Sequence, residues 1–225
     1  MGEGIGDILP MAIGVAISPV PIIAIVLMLG TPRARSTGPA FAVGWLIGLS
    51  VVGVIVLLLA SGNTTDDGGA PATWTSVLKL GIGVLFLLIA ARTWRTRPAP
   101  GQEAQMPKWM QAIDTFSPGK ALGVGVLLSG VNPKNLALTL AAATAIAQTG
   151  ISGGDQAIAL AVFVLLGSLT ILAPVAIYFA MGARAAKILD GLKSWMAAHN
   201  AAIMTVLLLV LGAKLIGDAI AGLSA

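Results

Sequence analysis

The chain has no cysteine among its 225 residues, which removes disulfides, thiol redox chemistry and cysteine metal ligands together. Charge is scarce as well. Asp, Glu, Lys and Arg make up 10% of the sequence against 57% hydrophobic residues, and the mean hydropathy is +0.95. So little polar surface cannot enclose a soluble globule, and the composition implies an integral membrane protein. There is one histidine and no plausible triad, metal cluster or general base, so a membrane-embedded enzyme is not expected. Nothing in the sequence calls for a cofactor, a resident metal or a nucleic-acid partner.

What is present is long apolar runs. A helix needs roughly 20 residues to cross hydrocarbon, and suitable runs lie near 6–29, 38–60, 74–93, 119–148, 155–180 and 200–221. The expectation is an all-α integral membrane protein of six spans in one membrane domain, 1–225. Connections are short except for 94–118, where Pro98, Pro100, Gly101, Pro107 and Pro118 predict a loop between two halves, 1–93 and 119–225. The N-terminus carries Glu3 and Asp7 in place of a basic leader, so the first span is expected to be retained.

The charges sort by loop. Arg33 and Arg35 follow the first run; Arg92, Arg95, Arg97, Lys108 and Lys120 flank the central loop; Arg184, Lys187 and Lys193 lie between the fifth and sixth runs. The opposite loops and termini hold Glu3, Asp7, Asp66, Asp67, Asp155 and Asp218, with no Lys or Arg in their aqueous parts. The positive-inside rule then places the basic loops in the cytoplasm and both termini outside. Trp74, Trp94, Trp109 and Trp195 fall near run ends, as interfacial anchors do.

Two of the runs are interrupted by a small polar residue followed by proline, the pattern with which helices begin. The interruptions are Ser18-Pro19-Val20-Pro21 in the first run and Asn132-Pro133-Lys134-Asn135 in the fourth. Ser18 lies twelve residues into its run, about 18 Å at the helical rise, and Asn132 lies at a similar depth. With three spans per half, a repeated second half is inverted. Aligning Pro19 with Pro133 sets Ile22-Ile23-Ala24 against Leu136-Ala137-Leu138. Two inverted three-helix repeats with broken helices one and four are thus the expected architecture, a recurrent transporter plan. The half-helices after the breaks would point their positive N-terminal ends at the midplane, which favours an anion.

Lys134 sharpens that expectation. A lysine at the bilayer centre costs roughly 2.5 to 3.5 kcal/mol even on the lenient insertion scale, and no Asp or Glu lies near mid-depth to pair with it. An incoming phosphate, sulfate or carboxylate is one partner; the alternative is that Lys134 satisfies backbone carbonyls freed by Pro133. The candidate substrate site is therefore Ser18, Pro19, Pro21, Asn132, Pro133, Lys134 and Asn135. Lys79 and Lys214 either form an outer basic vestibule or snorkel, and Asp218 can pair with Lys214 one turn away. His199 is expected at the cytoplasmic start of the sixth span. Asn200, Ser50, Ser168 and Thr170 are expected to bond between helices. Gly44 with Gly48 offers a close-packing face, within the protomer or in a homodimer, and Gly81 with Gly83 a second one within it.

Ser-Pro-x-Pro in the first run, Asn-Pro-Lys-Asn in the fourth and a basic central loop together resemble the lysine-exporter (LysE) superfamily of six-helix membrane proteins. Within it the chain is most similar to the branch named for glycopeptidolipid- and sulfolipid-addressing proteins, the GAP or Sap family. The resemblance covers nearly the whole chain, and Asn132-Pro133-Lys134 is its most specific part. It implies a bacterial plasma-membrane protein that moves, or helps to move, an anionic lipid-linked envelope substrate of glycolipid or polyprenyl-phosphate type. Two other functions stay open: export of a small amino acid or organic anion, and a non-transporting accessory role beside a larger lipid exporter or glycosyltransferase. The thiol-reductant transporters of the superfamily place cysteines beside both prolines, and this chain has none. Cation export would require mid-depth carboxylates or soft ligands, which are missing too.

Overall fold

The computed structural model describes residues 2–61, 73–97 and 108–224, with side chains except at 2–5, 7, 61, 73–75, 108 and 183. Asp66, Asp67, Pro98, Pro100, Gly101 and Pro107 lie outside the described residues, as do the side chains of Glu3, Asp7, Trp74 and Lys108. The described residues are helical, with no strand among them. Helix α1 (Gly2–Ala16) leads into α2 (Pro19–Leu29); α3 (Ala34–Ser61) and α4 (Thr73–Arg95) are long; α5 (Pro118–Val126) runs through a π turn, Leu127–Val131, to α6 (Pro133–Gln148); α7 (Gly153–Met181) and α8 (Ala185–Ser224) complete the chain. Four helices, α3, α4, α7 and α8, are long and apolar enough to cross a membrane, and the α1–α2 pair, bent by 45°, makes a fifth if taken as one span. The molecule is a multi-pass membrane protein. Many of its large apolar side chains point outward, Leu58, Leu88, Val206 and Val210 each more than 60% exposed on the protein surface, as suits contact with lipid.

Both proline breaks are real interruptions of the helix. Pro19 and Pro21 have no N–H to donate to Val15 O and Ile17 O, so the first helix must stop. Ser18 is extended, at φ −121° and ψ 94°, the conformation that a following proline imposes. The fourth expected run, 119–148, likewise divides at Asn132, whose N–H reaches back to Leu127 O at 3.1 Å and closes the π turn. Neither piece is long enough to cross a membrane alone.

Two expectations are corrected outside the breaks. The sixth helix begins at Ala185 and not near 200, so Lys187 and Lys193 stand on α8 and His199 lies within it. The stretch is rich in good helix formers, its one glycine is tolerable, and Lys193 pairs with Asp190 at 2.5 Å one turn back. The described part of the central loop is not structureless: Lys108–Thr115 forms a 3₁₀ segment that buries Met110 and Ile113 and packs on α2. Of the two settings open to Gly44 and Gly48, close packing within the protomer is present. A Cβ at Gly44 would collide with the Leu122 backbone, one at Gly48 with Ser129 Oγ, and one at Gly125 with Phe41 O, so α3 and α5 cross backbone to backbone.

Elsewhere α3 also packs on α6; α7 packs on α1 and α2; α4 lies along α8, and α1 against α6. Gly83 meets Gly212 at the α4–α8 contact, whereas Gly81 faces open space. Gly182, at φ 54°, ends α7 in the left-handed region that glycine enters freely.

Candidate functional site

The two breaks meet at one buried polar cluster. Lys134, on the first turn of α6, is 6% exposed, and its Nζ donates to Gly14 O at 2.6 Å, Ile17 O at 3.2 Å and Ser18 Oγ at 2.6 Å. The Ser18 hydroxyl has a single proton, which goes to Val15 O at 2.7 Å or to Asn135 Oδ1 at 3.2 Å. Asn135 Nδ2 donates to Leu128 O at 2.9 Å, above the second break. Asn132 Oδ1 caps α6 by accepting from the Lys134 backbone N–H at 3.0 Å. Thr170 on α7 adds a bond to Ala16 O at 2.6 Å.

Taken together these bonds account for the end of α1. A helix terminus leaves its last carbonyls without intrahelical donors, and here the prolines extend the deficit past the break. Gly14 O and Ile17 O take the ammonium, Val15 O takes the Ser18 hydroxyl, and Ala16 O takes the Ser18 N–H at 2.9 Å with Thr170. Lys134 does satisfy backbone carbonyls, but they belong to the other break, 120 residues away for Gly14. Its charge sits at the wrong end of its own helix, whose N-terminus is the positive pole. It is at the favourable end of α1, whose C-terminus carries about half a negative charge.

The expected meeting of two positive helix ends is thereby modified. The lysine meets the carbonyl end of α1, not a vacant anion pocket flanked by amides. Pro19 and Pro21 also deprive α2 of two of its first N–H groups. Of the candidate site residues, Lys134 and Asn135 each bond Ser18; Pro19 and Pro21 are buried; Asn132 is half-buried, and Pro133 is exposed.

One concavity shares residues with the cluster and a second lies apart from it. An apolar groove of about 650 Å³ runs between α1 and α8, lined by Pro10, Ile13, Gly14 and Ile17 on one side and by Trp195, His199, Val206 and Leu211 among others on the opposite side. Gly14 and Ile17 are the residues whose carbonyls hold Lys134. The more polar of the two is a cavity of about 770 Å³ at the basic end of the bundle, where Arg35, Asp114, Tyr178, and the paired Asp190 and Lys193, stand among apolar residues of α2, α7 and α8. Sequence reasoning missed this cavity because it counted Arg35 and Lys193 only as topology signals. It missed the carbonyl cluster because every residue has a carbonyl.

The more distant candidates separate. Lys79 donates to Gln148 Oε1 at 3.2 Å, joining α4 to α6. Lys214 pairs with Asp218 at 2.6 Å as the spacing predicted. Thr170 bonds between helices, whereas Ser168 bonds Val164 O within its own. His199 stacks on Trp195 with centroids 4.8 Å apart, its Nδ1 2.8 Å from Trp195 O.

The family model described as Sap, sulfolipid-1-addressing protein (SfLAP), matches residues 8–221. The chain belongs to the SfLAP family. That match takes in both breaks, the lysine cluster, the apolar groove and the polar cavity, so each is part of the SfLAP region of the chain. No curated protein and no solved structure matches the chain. Membership and the apolar helices are consistent with a membrane protein involved in lipid export.

Proposed function

We propose that this SfLAP member translocates, or helps to translocate, an anionic lipid-linked envelope substrate across a bacterial plasma membrane. The observation that carries the reading is the shared wall between groove and cluster. Gly14 and Ile17 line an apolar slot open along α8 and also hold Lys134, buried at the breaks. A substrate with tails can lie in such a slot with its charged group beside Lys134, whereas a small organic anion has no use for it. In this mechanism the anion competes with the end of α1 for the ammonium and draws Lys134 away from its carbonyls.

Helix pairing supports an inverted repeat, in which α1–α2, α3 and α4 exchange with α5–α6, α7 and α8. Under that exchange α1 on α7 becomes α5 on α3, α2 on α7 becomes α6 on α3, and α4 on α8 maps onto itself; each partner contact is present. The pairing of α1 with α6 has no counterpart of similar extent between α2 and α5. By the positive-inside orientation, the outer half-helices are packed together, and the polar cavity opens to the cytoplasm. Such a state would load substrate from inside. The plan agrees with the lysine-exporter superfamily that the sequence resembles, and Lys79 with Lys214 would stand at its outer side.

The test is transbilayer movement of labelled anionic lipids in vesicles containing purified protein. Lys134→Met is expected to lower the rate at least about tenfold, the loss of one charged contact of about 1.4 kcal/mol or more. Full activity of this variant toward every anionic lipid would end the central-site reading. The accessory reading is favoured by one observation, that Lys134 already has three acceptors. It predicts a protein that binds no lipid alone and copurifies with a larger exporter.

A further inference from the structure

We propose that Gly14 O, Ile17 O and Ser18 Oγ form a monovalent-cation site whose resident is the tethered ammonium of Lys134. All three acceptors are neutral oxygens, held at 2.6, 3.2 and 2.6 Å from the ammonium nitrogen. Hard cations select such donors, and carbonyls at the C-terminal ends of half-helices are where broken-helix transporters hold sodium. The end of α1 adds the negative pole of its dipole. Asp and Glu are absent from the cluster, so it suits one positive charge and not two.

The tether gives the site a mechanical meaning. The acceptors lie on α1 and on the break that follows it, while the cation is carried by α6. Its occupancy therefore fastens one broken helix to the other. A free ion would fill the same oxygens without joining the two elements, and would make the protein sensitive to the salt around it. Lys134 supplies the charge from within the fold, already seated on the three oxygens that an ion would have to claim. The native protein is accordingly indifferent to the identity of the monovalent cation, and a vacancy at Lys134 converts it into one that binds sodium or potassium. The inference does not depend on any substrate.

Thermal unfolding of purified protein in about 150 mM NaCl, KCl or N-methyl-D-glucamine chloride tests it. The unaltered protein is expected to unfold at one temperature in all three salts. Lys134→Ala is expected to unfold about 3 °C or more higher in NaCl or KCl than in the bulky-cation salt. Adding Ser18→Ala removes a ligand and should abolish that difference. The proposal is overturned if Lys134→Ala is equally stable in the three salts, if it folds in none of them, or if the unaltered protein shows the same sodium dependence. Because no lipid is added, the result stands apart from the vesicle assay: a salt-responsive Lys134→Ala with unimpaired lipid movement keeps this site and discards the proposed function.

Discussion

Lys134 and Ser18 are separated by 116 residues of chain, yet ammonium and hydroxyl meet at 2.6 Å. That bond joins the two proline breaks and ties the first broken helix to the second.

Ser18→Ala removes one of the three acceptors of Lys134 and a donor to Val15 O at once. A buried carbonyl left without its donor costs about 1 to 3 kcal/mol, and Lys134 keeps Gly14 O and Ile17 O, so a fall in unfolding temperature is expected, with Ser18→Thr falling less. Combined with Lys134→Met, the losses should overlap by about 1 kcal/mol or more. Strictly additive losses would mean that the two side chains do not interact.

Restoring N–H groups with Pro19→Ala and Pro21→Ala gives Val15 O and Ile17 O ordinary helical donors. The 45° bend should then relax, and Lys134 should lose part of its carbonyl cradle. The chain has no native cysteine, so spin labels at Ile13→Cys and Leu27→Cys report the change cleanly. A longer label-to-label distance in the alanine variant is expected, and an unchanged one would show that packing, not proline, sets the bend.

The α3–α5 crossing makes glycine indispensable at Gly44 and Gly125. Valine at either position meets backbone atoms that cannot step aside, and the folded yield in detergent should collapse. Gly81→Ala and Gly123→Ala add a methyl to open space and should be neutral or slightly stabilising, since alanine exceeds glycine in a helix by about 1 kcal/mol. Comparable yields for all four variants would contradict the close crossing.

Orientation is open to direct measurement. Gly153 opens α7 and Ala186 follows its far end, and both are exposed. With the basic loops inside, a membrane-impermeant maleimide applied to intact cells should label Gly153→Cys and spare Ala186→Cys. The reverse pattern would invert the molecule and turn the polar cavity outward.

Much of this was legible in the sequence because it is local. Proline deletes a specific donor wherever it stands, so the breaks at Ser18 and Asn132 follow from covalent structure. The Lys214–Asp218 pair follows from helical spacing. Other features depend on which elements come together. The prolines announced that carbonyls near residue 17 would need donors, yet nothing nearby said that Lys134 would supply them. Gly44 and Gly48 announced a close neighbour without naming α5. The first fifteen residues of α8 were read as loop because their charges suggested water, and water does not prevent a helix from forming.

That last helix has a further consequence. Forty residues at 1.5 Å each make a rod of about 60 Å, twice the hydrocarbon thickness of about 30 Å. About half of it exceeds the hydrocarbon and runs into the headgroup layer and beyond, and Lys193 near its start lines the polar cavity. Because one rigid piece runs from there past the apolar groove, any rocking within the membrane is levered outward to its basic end. A neighbour at the membrane surface would feel the stroke without touching the apolar groove.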